Sequence, residues 1–450
     1  MTSPAKRVAV VGGGWAGLAA AVRAVQAGHH VTLFEMAQQL GGRARSVPLP
    51  GHAPEQALDN GQHILIGAYK RTLDLLRTVG SREEEALKRR PLELRYPDGR
   101  GLALPDARSG RLGRIGISTP NWFAFVSAVA SCVGWTWADR AALIRTSARW
   151  ALDGFRCDPA LTVAELCRAL PHAVRELLID PLCVAALNTP ARDASAQVLL
   201  RVLKDALFGG AGAADLLLPA RPLSAILPDP AARWLVDHGA IVRLGQRVAE
   251  LGREGLAGDA TAMTRWRVGS EHFDAVILAA PPGEAARLVG TLAPAWAAQA
   301  QALRFEPICT VYLECVGARL PAPMTALVES PAAPAQFAFD HGALGGVAGR
   351  FAFVVSGAAP WVERGTGALA AAVLDQARTA LPARTWPTTP RLLKVLVERR
   401  ATFRCTPGLE RPPAAIAPGL IAAGDYVAGP YPATLEGAVR AAEAAVALVG

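Results

Sequence analysis

The sequence predicts an α/β protein: a Rossmann-type dinucleotide-binding domain interleaved with an α+β domain. Three observations carry this. An apolar run from Val8 to Val11 enters Gly12-Gly13-Gly14-Trp15-Ala16-Gly17, and a second run, Val31-Thr-Leu-Phe, ends on Glu35. Near the other terminus Leu420-Ile-Ala-Ala-Gly-Asp425 has the form of another strand closing on a glycine and an acid. Between them lies a long stretch with no β-α-β signature.

The first unit follows from backbone physics. Gly12, Gly14 and Gly17 take the G-x-G-x-x-G positions, so the chain can turn tightly, approach a pyrophosphate and pack a helix on the sheet. That helix should run from Trp15 to about Ala27, be closed by Gly28, and point its amide-rich N-terminus, with Gly13 and Ala16, at the phosphates. Glu35 then accepts from both ribose hydroxyls and repels a 2′-phosphate.

Gly41-Gly42-Arg43-Ala44-Arg45 follows, a glycine pair and an arginine suited to a second phosphate grip. At the C-terminus Pro432-Ala433-Thr434-Leu435 opens a helix, whose positive end stabilises a nearby negative charge by about 0.3 to 2 kcal/mol. With these motifs the chain resembles FAD proteins of the amine oxidase and phytoene desaturase type. The resemblance implies FAD, held by Gly41, Gly42 and Arg43 at the phosphates and by Gly424 and Asp425 at the ribityl chain. It also implies that Val248 lays its backbone against the adenine, and that the strand Asp274-Ala-Val-Ile-Leu-Ala-Ala280 returns to the nucleotide-binding sheet.

At 450 residues the chain exceeds one core. The expected FAD-binding domain is discontinuous, 1–66, 216–284 and 398–450, with 67–215 and 285–397 forming the substrate domain. The pattern from Tyr69 to about Leu218 is helical, and Ala240 to Val248 is hairpin-like. Segments from Pro307 to about Val397, among them Cys309–Cys315 and Phe351–Val355, alternate as strands of a second sheet. The Pro/Ala-rich stretch 318–335 is expected to be a loop.

Net charge is +9, but the basic residues are scattered and never interleave with aromatics, which argues against nucleic acid and leaves weak attraction to acidic lipid. Seven cysteines form no C-x-x-C and no metal-ligand spacing, so reduced thiols and no metal are expected. Cys405 alone lies where some amine oxidases attach flavin, and noncovalent FAD is expected. No signal peptide is visible, and a cytoplasmic protein is expected. Ile115–Ala138 lacks charge but is interrupted by polar residues and Pro120. Its part from Asn121 to Trp137 is either an internal helix or a lipid-facing one with Trp122, Trp135 and Trp137 at headgroup depth.

The segment Leu58-Asp-Asn-Gly-Gln-His-Ile-Leu-Ile-Gly-Ala-Tyr69 is more specific. With Asp180–Pro190, Pro219–Pro228 and Ala401-Thr-Phe it resembles the hydroxysqualene dehydroxylases, nearly end to end, departing at Tyr426, where tryptophan is expected. The resemblance implies reductive loss of an allylic hydroxyl from hydroxysqualene, giving squalene in hopanoid or triterpenoid precursor synthesis. It implies a long-chain isoprenoid substrate, delivered from a membrane surface or an upstream squalene-pathway enzyme. Gly61 and Gln62 would lie beside the flavin. His63, with Gln62 and Tyr431 as further candidates, would supply acid catalysis, and Asp59 would orient the loop. Alternatives are a carotenoid-type desaturase, a flavin amine oxidase, or a prenyl-binding protein without redox work.

Overall fold

A computed structural model describes residues 4–105, 121–254 and 265–450. Its central sheet has six strands in the order Ile241–Arg243, His30–Phe34, Arg7–Val11, Ala275–Leu278, Leu420–Ala422 and Ala415–Ala417. All pair in parallel except the last, and Val10 stands opposite both Leu33 and Ile277, which in turn faces Ile421. The strands are short and apolar because both faces are covered, one by helices and the other by the small antiparallel sheet Leu251–Glu254, Arg265–Val268 and Glu271–Phe273. The helix Trp15–Gln26 buries Leu18, Ala19, Ala20, Ala21 and Val22, and shares a core with Val8, Val10, Leu235 and Val439. It ends at Ala27, and Gly28 follows at φ +87°, the left-handed position that stops helices.

The second sheet is antiparallel, in the order Met324–Ala326, Phe337–Asp340, Arg350–Val355, Phe305–Glu314, Arg391–Phe403. Period-2 alternation divides its residues between two cores. Cys309, Val311, Leu313, Phe351 and Phe353 pack with Leu369 and Val373 of the helix Thr366–Ala380. Tyr312, Phe337, Phe339 and Ala352 face the larger core between the sheets.

Five expectations are corrected. Residues 240–248 form no hairpin: Ile241–Arg243 is a parallel edge strand, and the next turn bonds to its neighbour, Gly245 N–H to Ala37 O and Gln246 N–H to Glu35 O. Val248 therefore sits in a loop. The stretch 69–218 is not wholly helical, since Leu87–Arg90 pairs with Leu216–Pro219 and Glu93–Arg95 with Gly101–Ala103. Charge hid the first of these: Arg89 lies in the ladder because its guanidinium is paired with Glu83 and Asp215. Met324–Ala326 is a strand within the expected loop 318–335.

The apolar helix beginning at Asn121 stops at Ser131, because Thr136 caps a new helix, Trp137–Leu152, in a reciprocal box with Asp139. Trp135 lies in the core rather than at the surface. Part of the Ile115–Ala138 stretch lies outside the described residues.

Asp59 ties three segments together. One carboxyl oxygen accepts from Ser46 Oγ–H at 2.8 Å and Leu223 N–H at 2.9 Å, and its carbonyl accepts from the Tyr312 hydroxyl at 2.8 Å. Burial pushes the carboxyl up to about 7, against the opposing pull of these donors. The folded chain therefore holds a proton that the unfolded chain releases between about pH 4 and 7, and stability from this group falls as pH rises through that window. Compared with Asp59→Asn, the wild type should lose relative melting temperature from pH 5 to 7 and hold level above. A difference independent of pH would exclude this assignment.

Candidate cofactor and substrate site

The C-terminal ends of the parallel strands Arg7–Val11, His30–Phe34, Ala275–Leu278 and Leu420–Ala422 open onto one cavity of about 400 Å³. It is lined by Gly12, Gly14, Ala16, Glu35, Gly41, Gly42, Arg43, Gly61, Gln62, His63, Val248, Ala280, Gly424, Asp425, Ala433, Thr434 and Leu435. These residues come from each of the expected cofactor motifs and from the segment 58–69.

Gly12 takes φ +111°, and a Cβ there would stand 2.7 Å from Ala279 O. Gly17 is outside the cavity; a Cβ on it would lie 1.8 Å from Gly12 O, so it permits the helix to touch the turn. Gly13 is also outside. Its N–H donates to Glu35 Oε2 at 2.6 Å, and a side chain would meet Leu40 and Glu35, so its task is to hold the acid. Glu35 Oε1 accepts from Ala37 N–H at 2.8 Å. Each carboxylate oxygen thus keeps accepting capacity for a ribose hydroxyl.

Arg43 departs from expectation. Its guanidinium donates to Asp425 Oδ1 and to Ala401 O, both at 2.6 Å, instead of standing free as a bidentate phosphate clamp. Asp425 is 8% exposed, and a nearly buried carboxylate needs a paired cation. Beyond Asp425, Thr434 caps the helix Leu435–Ala447 by accepting from Gly437 N–H at 3.0 Å, with its first turn at the cavity wall.

Around Gly61, at φ +119°, the chain bends so that His63 Nδ1 meets Gly61 O at 2.9 Å. Burial holds the imidazole below the usual histidine range, and Arg43 adds to the effect. His63 is therefore neutral near pH 7, with Nδ1–H donated and Nε2 left as an acceptor, which does not suit the acid role expected of it. Gln62 Oε1 lies 3.3 Å from His341 Nε2, itself held down to about 4 by burial.

Tyr431 is not on the main cavity. It borders a smaller one with Tyr69 and Asp205, and its hydroxyl donates to Asp205 Oδ2, so the short polar contact keeps it from the place expected for a catalytic acid.

Sequence reasoning passed over Asn60, Asn188, Ile308, Ser356, Glu398 and Thr402, all on the cavity wall. Asn60, Asn188 and Thr402 lie within segments that carry the resemblance, but nothing in sequence marks which distant segments will meet. Tyr426 packs so closely on Gly424 that a Cβ there would lie 2.6 Å from its ring, which makes Gly424 obligatory.

These residues fit a flavin dinucleotide. The cradle is open where glycine is required: a Cβ at Gly14 would find only Gly42 Cα, at 3.8 Å, and would point into the space between the two turns. An acid stands at one end, and an acid with a helix N-terminus at the other.

Residues 15–450 match the flavin containing amine oxidoreductase family. The chain belongs to that family. It is a flavin-dependent oxidoreductase. It is similar to hydroxysqualene dehydroxylase of Sinorhizobium fredii, 27% identical over 98% of both chains, and to that of Rhodopseudomonas palustris, 27% identical over 99% of this chain and 98% of the relative. The resemblance read from residues 58–69 and 180–190 is thereby borne out. A crystal structure of a putative protoporphyrinogen oxidase from Exiguobacterium shares the fold, with a TM-score of 0.65 at 17% identity, covering 99% of this chain and 98% of the other.

The cradle yields a direct test. Gly14 has φ −73° and ψ −178°, which valine adopts freely, so Gly14→Val should fold normally while its methyl groups occupy the phosphate path. Visible absorbance of the purified variant should be almost lost, with an unchanged circular dichroism spectrum. Normal flavin content would refute the placement.

Proposed function

We propose that this flavoenzyme uses noncovalent FAD to remove the allylic hydroxyl of hydroxysqualene reductively, giving squalene for triterpenoid synthesis. The observation that carries the reading is a convergence. The two segments most specific to hydroxysqualene dehydroxylases come together on the flavin cavity, one through Asn60, Gly61, Gln62, His63, Ile64 and Tyr69, the other through Val184, Ala185, Ala186 and Asn188.

The wall has the character that such a substrate needs. Val184, Ala185, Ala186, Ile308 and Ile64 offer apolar contact to a hydrocarbon and exclude water that would recapture an allylic cation. Reduced flavin, when bound, supplies the hydride for the carbinol carbon, and the hydroxyl leaves as water after gaining a proton. The neutral His63 leaves proton delivery to other groups. Noncovalent attachment agrees with Cys405, which is buried off the cavity with its thiol pushed up to about 12 by burial.

Prereduced enzyme mixed anaerobically with hydroxysqualene should therefore be reoxidised, one equivalent of flavin per squalene formed. Flavin reduction on mixing oxidised enzyme with squalene or phytoene, without turnover of the alcohol, would establish a desaturase instead.

A C30 substrate is nearly insoluble in water, and we propose that the protein takes it from a membrane surface. No described helix is long and apolar enough to cross a bilayer. Phe123, Val133 and Trp137 are instead exposed, by 65%, 59% and 76%, and the Arg140 guanidinium lies 4.6 Å over the Trp137 ring. Aromatic rings beside a cation suit an interface with acidic headgroups. The double variant Phe123→Ser, Trp137→Ser should bind acidic liposomes several-fold more weakly with flavin content unchanged. Equal binding would remove this face from consideration.

A further inference from the structure

On the cavity wall the hydrogen-bonding direction of the Thr402 hydroxyl is set by its neighbours. Asn188 is 3% exposed and ends the helix Asp180–Leu187 in the left-handed conformation, φ +46°, which asparagine tolerates better than most residues. Its Oδ1 accepts the Gly357 N–H at 2.8 Å, which fixes the orientation of the amide. Nδ2 must then face two oxygens, and it does: Glu306 O at 3.1 Å and Thr402 Oγ1 at 2.9 Å. An amide nitrogen can only donate, so Thr402 Oγ1 is the acceptor of that bond. Its own proton meets no acceptor among the described residues, and the side chain lines the cavity.

The position of Thr402 has a cause in the second sheet. Glu306 pairs with Thr402 and Ile308 with Glu398, so one residue, Pro307, stands opposite three, Arg399 to Ala401. Proline has no N–H to continue the ladder, and the facing strand bulges. The bulge gives the Ala401 carbonyl to Arg43 and sets Thr402 and Glu398 on the cavity wall. The Glu398 carboxylate is itself occupied by Asn60 Nδ2 at 3.0 Å and Arg400 N–H at 3.2 Å.

We propose that Thr402, oriented by Asn188, donates a hydrogen bond from its hydroxyl to the single oxygen of the substrate, and so lets the enzyme distinguish an allylic alcohol from the hydrocarbon product. The assignment rests on the reading of function above. The same cavity is lined by Val184, Ala185, Ala186 and Ile308, so it offers apolar contact to a C30 chain together with a hydroxyl donor for its oxygen. After the oxygen departs as water, squalene offers nothing for that proton, which favours release. Asn188 acts through Thr402 and is a positioning residue.

The test is a binding titration of oxidised, flavin-loaded protein with hydroxysqualene and with squalene, in detergent, followed by the shift of the flavin visible spectrum. Wild type should bind the alcohol more tightly. Thr402→Val, which keeps shape and removes the hydroxyl, should lose that preference by about tenfold or more, the range for a buried polar group deprived of its partner. Its affinity for squalene and its flavin content should stay unchanged, and Thr402→Ser should restore the preference. Thr402→Ala carries the same expectation and serves if the valine variant fails to load flavin. Retained preference in either variant, or equal binding of alcohol and hydrocarbon by wild type, would overturn the proposal. The functional reading fails separately, if wild type prefers the alcohol but prereduced enzyme does not convert it.

Discussion

Three parallel strand ends must lie in contact for this site to exist. Val11, Leu278 and Ala422 finish side by side, so the turn at Gly12, the Ala279–Ala280 exit and the Ala423–Gly424 exit meet at one edge of the sheet. The tolerance is small. A Cβ on Gly12 would overlap the Ala279 carbonyl, and a Cβ on Gly17 would overlap Gly12 itself. Parallel strands put their C-terminal ends on the same side, which is why such a sheet binds ligands there.

From that edge the rest of the site is held by a few charged links over long sequence distances. Arg43 joins the Gly-Asp turn to the bulge of the second sheet through Asp425 and Ala401. Asn60 joins the same bulge to the Arg43 backbone and to Glu398. The glycine turns and the second-sheet side of the cavity are thus joined by direct hydrogen bonds. A partly buried Arg–carboxylate pair of this kind has more effect on position than on net stability, because desolvation offsets much of its attraction.

Protonation at this site follows from burial. His63 and His341 are neutral, one donating to a backbone carbonyl and the other set beside Gln62. Asp59, outside the cavity, is held high by the same desolvation. Burial that excludes water also disfavours unpaired charge, and a neutral hydroxyl donor such as Thr402 suits it better than an unpaired ion.

Residue order alone determined the nucleotide-binding half. Gly12 to Gly17, Glu35 and Gly424-Asp425 are local patterns whose geometry follows from what glycine permits and what a strand end presents, so they can be read without knowing the fold. The hydroxysqualene dehydroxylase resemblance was legible for the same reason, in contiguous words such as residues 58–69. Tertiary structure decided the rest. Arg43 turned from phosphate to Asp425 because a carboxylate from the far end of the chain was buried beside it. Tyr431 was taken up by Asp205, Trp135 by the core, and the strand at Leu87–Arg90 became possible only with Glu83 and Asp215 beside Arg89. Asn188 and Thr402 gained their meaning from Pro307, which broke a ladder between strands nearly a hundred residues apart in sequence. Local patterns fix what a backbone can do; which side chains share a wall depends on long-range pairing, and pairing leaves no mark in any one segment.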